Sequence, residues 1–121
     1  MSRRRNTALV SAQRTHAPVF AALGDGTRLQ LIGKLSLGQP RSISELSEDS
    51  KLTRQAITKH LRVLENVGLV RGERQGRETL FKFTPEPIEE AKKYLGLVSE
   101  QWGQTLARLK SFVEMDAANE P

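Results

Sequence analysis

Cysteine is absent from this chain of 121 residues. That excludes disulfides, thiolate metal sites and thiol redox sensing. Histidine is nearly absent: His16 and His60 stand far apart in the sequence. With no cysteine nucleophile, no paired histidines and no glycine-rich phosphate loop, the chain is not expected to be an enzyme or to carry a metal or other cofactor. No apolar run approaches membrane-spanning length, and no charged-then-apolar segment opens the chain. The expected location is the cytoplasm, without a membrane partner. Apolar residues are scarce too, at 37%. A core drawn from one copy would be modest, so association with a second copy is expected.

Positive charge is what the chain has in excess, and it is unevenly placed. Residues 1–85 carry 15 Lys and Arg against seven Asp and Glu, a net +8, while residues 86–121 carry four against seven, a net −3. A basic body with a mildly acidic end suits a polyanionic partner on one side.

The length favours one small domain. Residues 1–16, with Arg3-Arg4-Arg5, read as a flexible basic arm. From Ala17 the pattern turns helical, with Pro18 in a first turn and Val19, Phe20 and Leu23 as an apolar stripe. Gly24-Asp25-Gly26 breaks that helix. Asp25 or Thr27 caps the next, whose apolar residues are Leu29, Ile32 and Leu35, with Leu31 beside them. Gly38-Gln39-Pro40 ends it. Ser42 and Glu45 match a capping box for a short helix over about 44–49. Thr53 caps a further helix reaching about Asn66, and Gly68 stops it. Strands are expected over about 69–74 and 78–83. Thr84-Pro85-Glu86-Pro87 opens a long last helix over about 85–114, with its acidic residues at the positive end of the dipole. The main domain thus covers 17–114, and 115–121 reads as a flexible tail.

The helix after Thr53 carries the chemistry. Ile57, Leu61 and Leu64 form a stripe that should pack on the preceding helices. Arg54, Gln55, Thr58, Lys59 and Arg62 fall mostly on the other side. Arginine grips guanine bidentately, glutamine does so with adenine, and threonine offers a methyl and a hydroxyl. Residues near the helix start usually reach base edges, which selects Arg54, Gln55 and Thr58 as readers. Lys59 and Arg62 suit phosphates, and Thr53 joins them at the cap. His60 lies nearer the packed face, where a bond to backbone and a DNA contact compete. A solvated amphipathic helix would show the same pattern. The short helix before it and the cationic hairpin after it favour a DNA reader. In the hairpin Gly76 permits the turn, Phe81 and Phe83 anchor one face, and Arg74 and Arg77 suit backbone or minor-groove contact.

Ile88, Leu95, Trp102 and Leu109 recur at seven-residue steps along the last helix, with Ala91, Val98, Thr105 and Phe112 between them. Tyr94, Leu97 and Leu106 form a second row. A heptad row of this length suits a partner helix. The expected dimer surface comprises Val19, Phe20, Leu95, Val98, Trp102 and Leu109.

The stretches FAALGDGTRLQLI, SISELSEDSKLTRQAITKHLRVLENVGLV and RQGRETLFKF together resemble the ArsR/SmtB family of bacterial winged-helix repressors, over about 18–113. Gly26 stands where many of that family have proline. The resemblance implies a mainly α winged helix-turn-helix with a small β-hairpin. It further implies a homodimer built on the first and last helices and a promoter inverted repeat in double-stranded DNA as partner. Metal-sensing members place cysteines in the first helix of the motif, or Asp, His and Glu clusters in the last helix. Here the first segment reads Ser44-Glu45-Leu46-Ser47, and the last helix has no histidine, so no metal response is expected. A small-molecule effector, if one exists, would be sought near Phe20 and Trp102. The expected function is a homodimeric repressor that occludes a promoter. The rival is a winged-helix module for protein or RNA, which would show no preference among duplex sequences.

Overall fold

The computed structural model describes residues 2–118, with side chains over 7–116. The chain divides into two compact units, with the boundary between Ala91 and Lys92.

The first unit opens on helix α1, Ser2–Leu23, followed by α2, Gly26–Leu35. Residues 2–16, expected as an arm, are helical and continuous with the rest of α1. They contain no glycine or proline and several good helix formers, including Ala8, Ala12 and Gln13, so the helix continues through them. Pro18 lies inside the helix rather than in its first turn, where it removes one i→i−4 bond. The contacts of Arg3, Arg4 and Arg5 lie outside the described side chains.

The Asp25 side chain caps α2 by accepting from the Thr27 amide at 3.1 Å. Leu31, Ile32 and Leu35 are buried, whereas Leu29 is 53% exposed. A helix turns roughly 100° per residue, so three-residue steps back from Leu35 place Leu29 about 120° away from it. Leu31, four before Leu35, shares its face.

Arg41–Ser42 form a short strand β1, and Ile43–Ser47 form α3. The expected capping box is present: Ser42 Oγ accepts from the Glu45 amide at 3.2 Å, and Glu45 Oε1 accepts from the Ser42 amide at 3.5 Å. Helix α4 runs Arg54–Asn66, with Thr53 Oγ1 accepting from the Ala56 amide at 3.1 Å. Its far end is a Schellman motif. Gly68, at φ +79°, donates to Glu65 O at 3.0 Å, and Leu69 donates to Leu64 O at 2.9 Å. The chain thereby reverses straight into strand β2, Val70–Gln75, which pairs with β3, Glu78–Phe83.

The sheet has three antiparallel strands in the order β1-β3-β2, with Arg41 opposite Phe81 and Val70 opposite Phe83. Gly76 and Arg77 form the two-residue loop. Positive φ falls on Gly76 alone, the pattern of a type II′ turn with glycine first.

Helix α5 begins at Glu86. Ile57, Leu61, Leu64, Leu46 and Leu69 have no exposed surface, and they form one core with Val19, Ala22, Leu31, Ile32, Leu35, Val70, Phe81 and Ala91. Each such aliphatic side chain contributes about 1.5–3 kcal/mol on burial. The stripe expected on α4 is thus the centre of the core, which turns the opposite face of that helix to solvent.

The second unit is the rest of α5, which runs to Ala118. The helix does not stop near Glu114, because Met115 and Ala117-Ala118 are helix formers. The last residues of the expected tail, 119–121, lie outside the described ones. Among the described residues no helix is long and apolar enough to cross a membrane.

Candidate nucleic-acid interface

The exposed face of α4 is built by exclusion. Core packing takes Ile57, Leu61 and Leu64, and the Thr53 cap fixes where the helix starts. Arg54, Gln55, Lys59 and Arg62 are left exposed on the other side. None of these four side chains has an ion-pair or hydrogen-bond partner among the described residues. Thr58 is half-buried, and its hydroxyl donates to Arg54 O at 2.7 Å. What it presents outward is therefore a methyl and an acceptor oxygen. Thr53 is exposed but already employed as the cap.

His60 is half-buried, and its Nδ1 faces Arg28 Nη1 at 3.3 Å. The ring thus meets a side chain of α2 rather than backbone or the reading face. No local pattern signals this bond, because Arg28 is 32 residues away.

The wing is fastened to α4 by Glu65, whose Oε2 accepts from the Gly72 amide at 3.1 Å. Its cations are unequal. Arg71 pairs loosely with Glu73 at 3.7 Å, and Arg74 Nε donates to Gly76 O over a long 3.5 Å. Arg77, on the loop, is exposed and without a partner among the described residues. Arg77 and Arg54 also line one cleft of about 390 Å³, together with Ser42, Ile43, Ser44, Glu78 and Thr79. The start of α4 and the wing tip are thus brought to a shared opening. Ser44, which the sequence marks only as the start of a short helix, stands in its wall.

Ion pairing elsewhere sets these cations apart. Arg28 is held by Asp25 at 3.9 Å and Lys110 by Glu114 at 4.0 Å, while Arg54, Lys59, Arg62 and Arg77 keep their full charge available. A projecting helix with unpaired cations and amide chemistry, beside a cationic hairpin, can follow a phosphate backbone and reach base edges from one face.

Of the residues expected at a dimer surface, Leu95, Trp102 and Leu109 are exposed at 51%, 68% and 56%. Val98 and Phe20 are half-buried. Val19, at 7%, belongs to the core of its own chain. Among the described residues no three His, Asp or Glu side chains gather as a metal site would require.

These features define a winged helix-turn-helix of the DNA-binding kind. Residues 25–71 match the family described as bacterial regulatory protein, arsR family. An uncharacterised HTH-type transcriptional regulator of Bacillus subtilis, YuzN, is 40% identical over 81 residues, covering 62% of this chain and 88% of that protein. The HTH-type transcriptional regulator Rv2034 of Mycobacterium tuberculosis is 32% identical over 76 residues, covering 63% of this chain and 70% of that one. The solved structure of an ArsR-like transcriptional regulator from Rhodococcus sp. RHA1 superposes with a TM-score of 0.72. It shares 32% identity and covers 84% of this chain and 95% of that one. The chain belongs to the ArsR family of winged helix-turn-helix transcriptional regulators.

Proposed function

We propose that the protein is a homodimeric repressor that reads a promoter inverted repeat through α4 and blocks polymerase by occupying it. The observation that carries this reading is the free chemistry of α4: Arg54, Gln55, Lys59 and Arg62 are exposed and uncommitted, above a stripe that is wholly buried. Gln55 stands one residue inside the helix start, where side chains reach base edges, and has the donor and acceptor that match adenine. Arg62 and the wing's Arg77 serve as phosphate contacts. Two copies would bind two half-sites, which is why the operator should be an inverted repeat. The protein acts in the cytoplasm and needs no catalytic activity for this role.

Selection of bound duplexes from a random pool tests the reading. A single enriched inverted repeat is expected. Gln55→Ala should then flatten the preference at one base step of each half-site, at a cost of about 1–3 kcal/mol for the preferred base. A pool that stays random, or a Gln55→Ala variant with an unchanged preference, would show that α4 is not docked this way.

Metal is not the input in this reading. Tight soft-metal sites need Cys, His or converging carboxylates. Glu89 and Glu90 sit in the opening turns of α5, where they favour the positive end of the helix dipole. Zinc or a chelator should leave operator affinity unchanged. A stoichiometric, zinc-dependent loss of binding would refute this part of the proposal.

A further inference from the structure

The corner between α1 and α2 holds the most heavily used cation among the described residues. Arg28 Nε donates to Ala22 O at 2.6 Å and Nη2 donates to Ala21 O at 3.3 Å, two carbonyls of the last turn of α1. Ala21 O also accepts from the Gly24 amide at 3.2 Å, so the guanidinium shares that carbonyl and adds a second donor to the end of α1. Nη1 lies 3.9 Å from Asp25 Oδ2, the cap of α2, and 3.3 Å from His60 Nδ1 on α4. Three helices are thus joined through one planar group. The Arg28 side chain is 19% exposed and that of Asp25 is 26% exposed.

A guanidinium only donates, so the Arg28–His60 contact is a hydrogen bond when Nδ1 offers its lone pair and the ring proton sits on Nε2. A second proton, on Nδ1, would set two donors and two cations face to face. The charged groups around the ring are few. From α2 there are Arg28 and, through it, Asp25; on α4 itself Lys59 and Arg62 are the nearest charges in sequence, and both are exposed on the other face. Among the described residues, α1, α3 and the wing bring no charged side chain into a bond with it.

We propose that Arg28 and His60 are a positioning pair, which sets the angle of α4 against the end of α1 and holds only while Nδ1 is unprotonated. Neither residue touches DNA in this scheme. Position on α4 alone makes His60 a candidate DNA contact, and the pair withdraws it from that role. The proposal rests on α4 being the DNA reader. Its consequence is a specific sign: protonating His60 releases α4 and weakens operator binding. A histidine placed on a phosphate would do the reverse, because acquiring a charge would strengthen binding.

The test is operator affinity of the full-length protein, measured from about pH 8 down to about pH 5.5. The expected result is a fall on the order of tenfold toward acid, as for one proton taken up on release. His60→Asn places an amide oxygen where Nδ1 stands and cannot titrate there. It should bind as the parent does at pH 8 and show a flat profile. His60→Leu and Arg28→Gln, checked for folding by circular dichroism, should bind weakly across the range. Nitrogen chemical shifts of the His60 ring, measured without DNA, should show Nε2 protonated and Nδ1 bare at pH 8. A ring carrying its proton on Nδ1, a His60→Asn variant with the parent's pH profile, or tighter binding in acid would each overturn the pair. A parent with no preferred duplex at any pH, yet with the expected ring tautomer, would instead count against α4 as the reader.

Discussion

Raising the salt from 50 to 200 mM should lower operator affinity by about 10³–10⁵-fold. The magnitude follows from which cations are free. Arg54, Lys59, Arg62 and Arg77 are exposed without partners among the described residues, and a dimer doubles them. Wing and flank residues such as Lys82 add to the set. That supports neutralisation of on the order of 6–10 phosphates, each releasing counterions with a slope near −0.9 on a double-logarithmic plot. Arg28 is excluded because its charge is already spent on two carbonyls, Asp25 and His60. The same logic ranks variants. Arg62→Ala and Arg77→Ala should weaken binding to all duplexes alike and reduce the salt slope by about one for each phosphate left without its cation. Arg28→Gln should weaken binding while leaving the slope near the parent's. Titrations at four salt concentrations, on the selected operator and on a scrambled duplex, make the comparison. An affinity that ignores salt would remove the electrostatic basis of the reading.

The contrast between Arg62 and Arg28 also marks where sequence stops being informative. Helix α4 is legible because three local signals agree on it. The period of Ile57, Leu61 and Leu64 marks the buried face, Thr53 the start, and Gly68 the stop. Local signals likewise define the capping box at Ser42 and the turn at Gly76. The errors fall where a local signal is ambiguous or where distant residues decide. Pro18 is a common helix starter, but the residues before it favour helix on their own, so α1 reaches back to Ser2. Leu29 is as apolar as Leu31, and only the angle relative to Leu35 separates core from surface. Strand β1 is two residues long and exists by pairing with β3, so its own sequence carries no strand pattern. His60 shows the limit most plainly. Its position on the helix places it near the packed face, but its partner comes from another helix, and no periodicity predicts a side-chain bond across that separation.

Leu95→Glu should convert the protein from a dimer to a monomer at micromolar concentration. The second unit is one helix, and along it Leu95, Trp102, Leu106, Leu109 and Val113 fall within about 60° of one another around the axis and are each more than half exposed. Isolated exposed apolar residues are ordinary, but a continuous row of large ones marks an interaction surface. Seven-residue spacing of Leu95, Trp102 and Leu109 suits a second copy of the same helix, and a two-fold interface presents the row to itself. A glutamate at position 95 would enter that interface twice, without a compensating cation on the row. Breaking a buried arrangement in this way costs about 3–5 kcal/mol, or roughly two to four orders of magnitude in the dimer dissociation constant. Gln104→Glu is the matched control. Nine residues from Leu95, it adds the same charge about 180° around the helix and should leave assembly intact. Trp102 is the single tryptophan, so its emission reports the interface directly. It should be blue-shifted in the parent and in Gln104→Glu, and shifted toward water in Leu95→Glu. Sedimentation gives the masses, and circular dichroism separates dissociation from unfolding. Operator affinity should fall with the dimer, because one protomer reaches one half-site. A parent that sediments as a monomer with Trp102 in water would end the dimer proposal and, with it, the expectation of an inverted repeat.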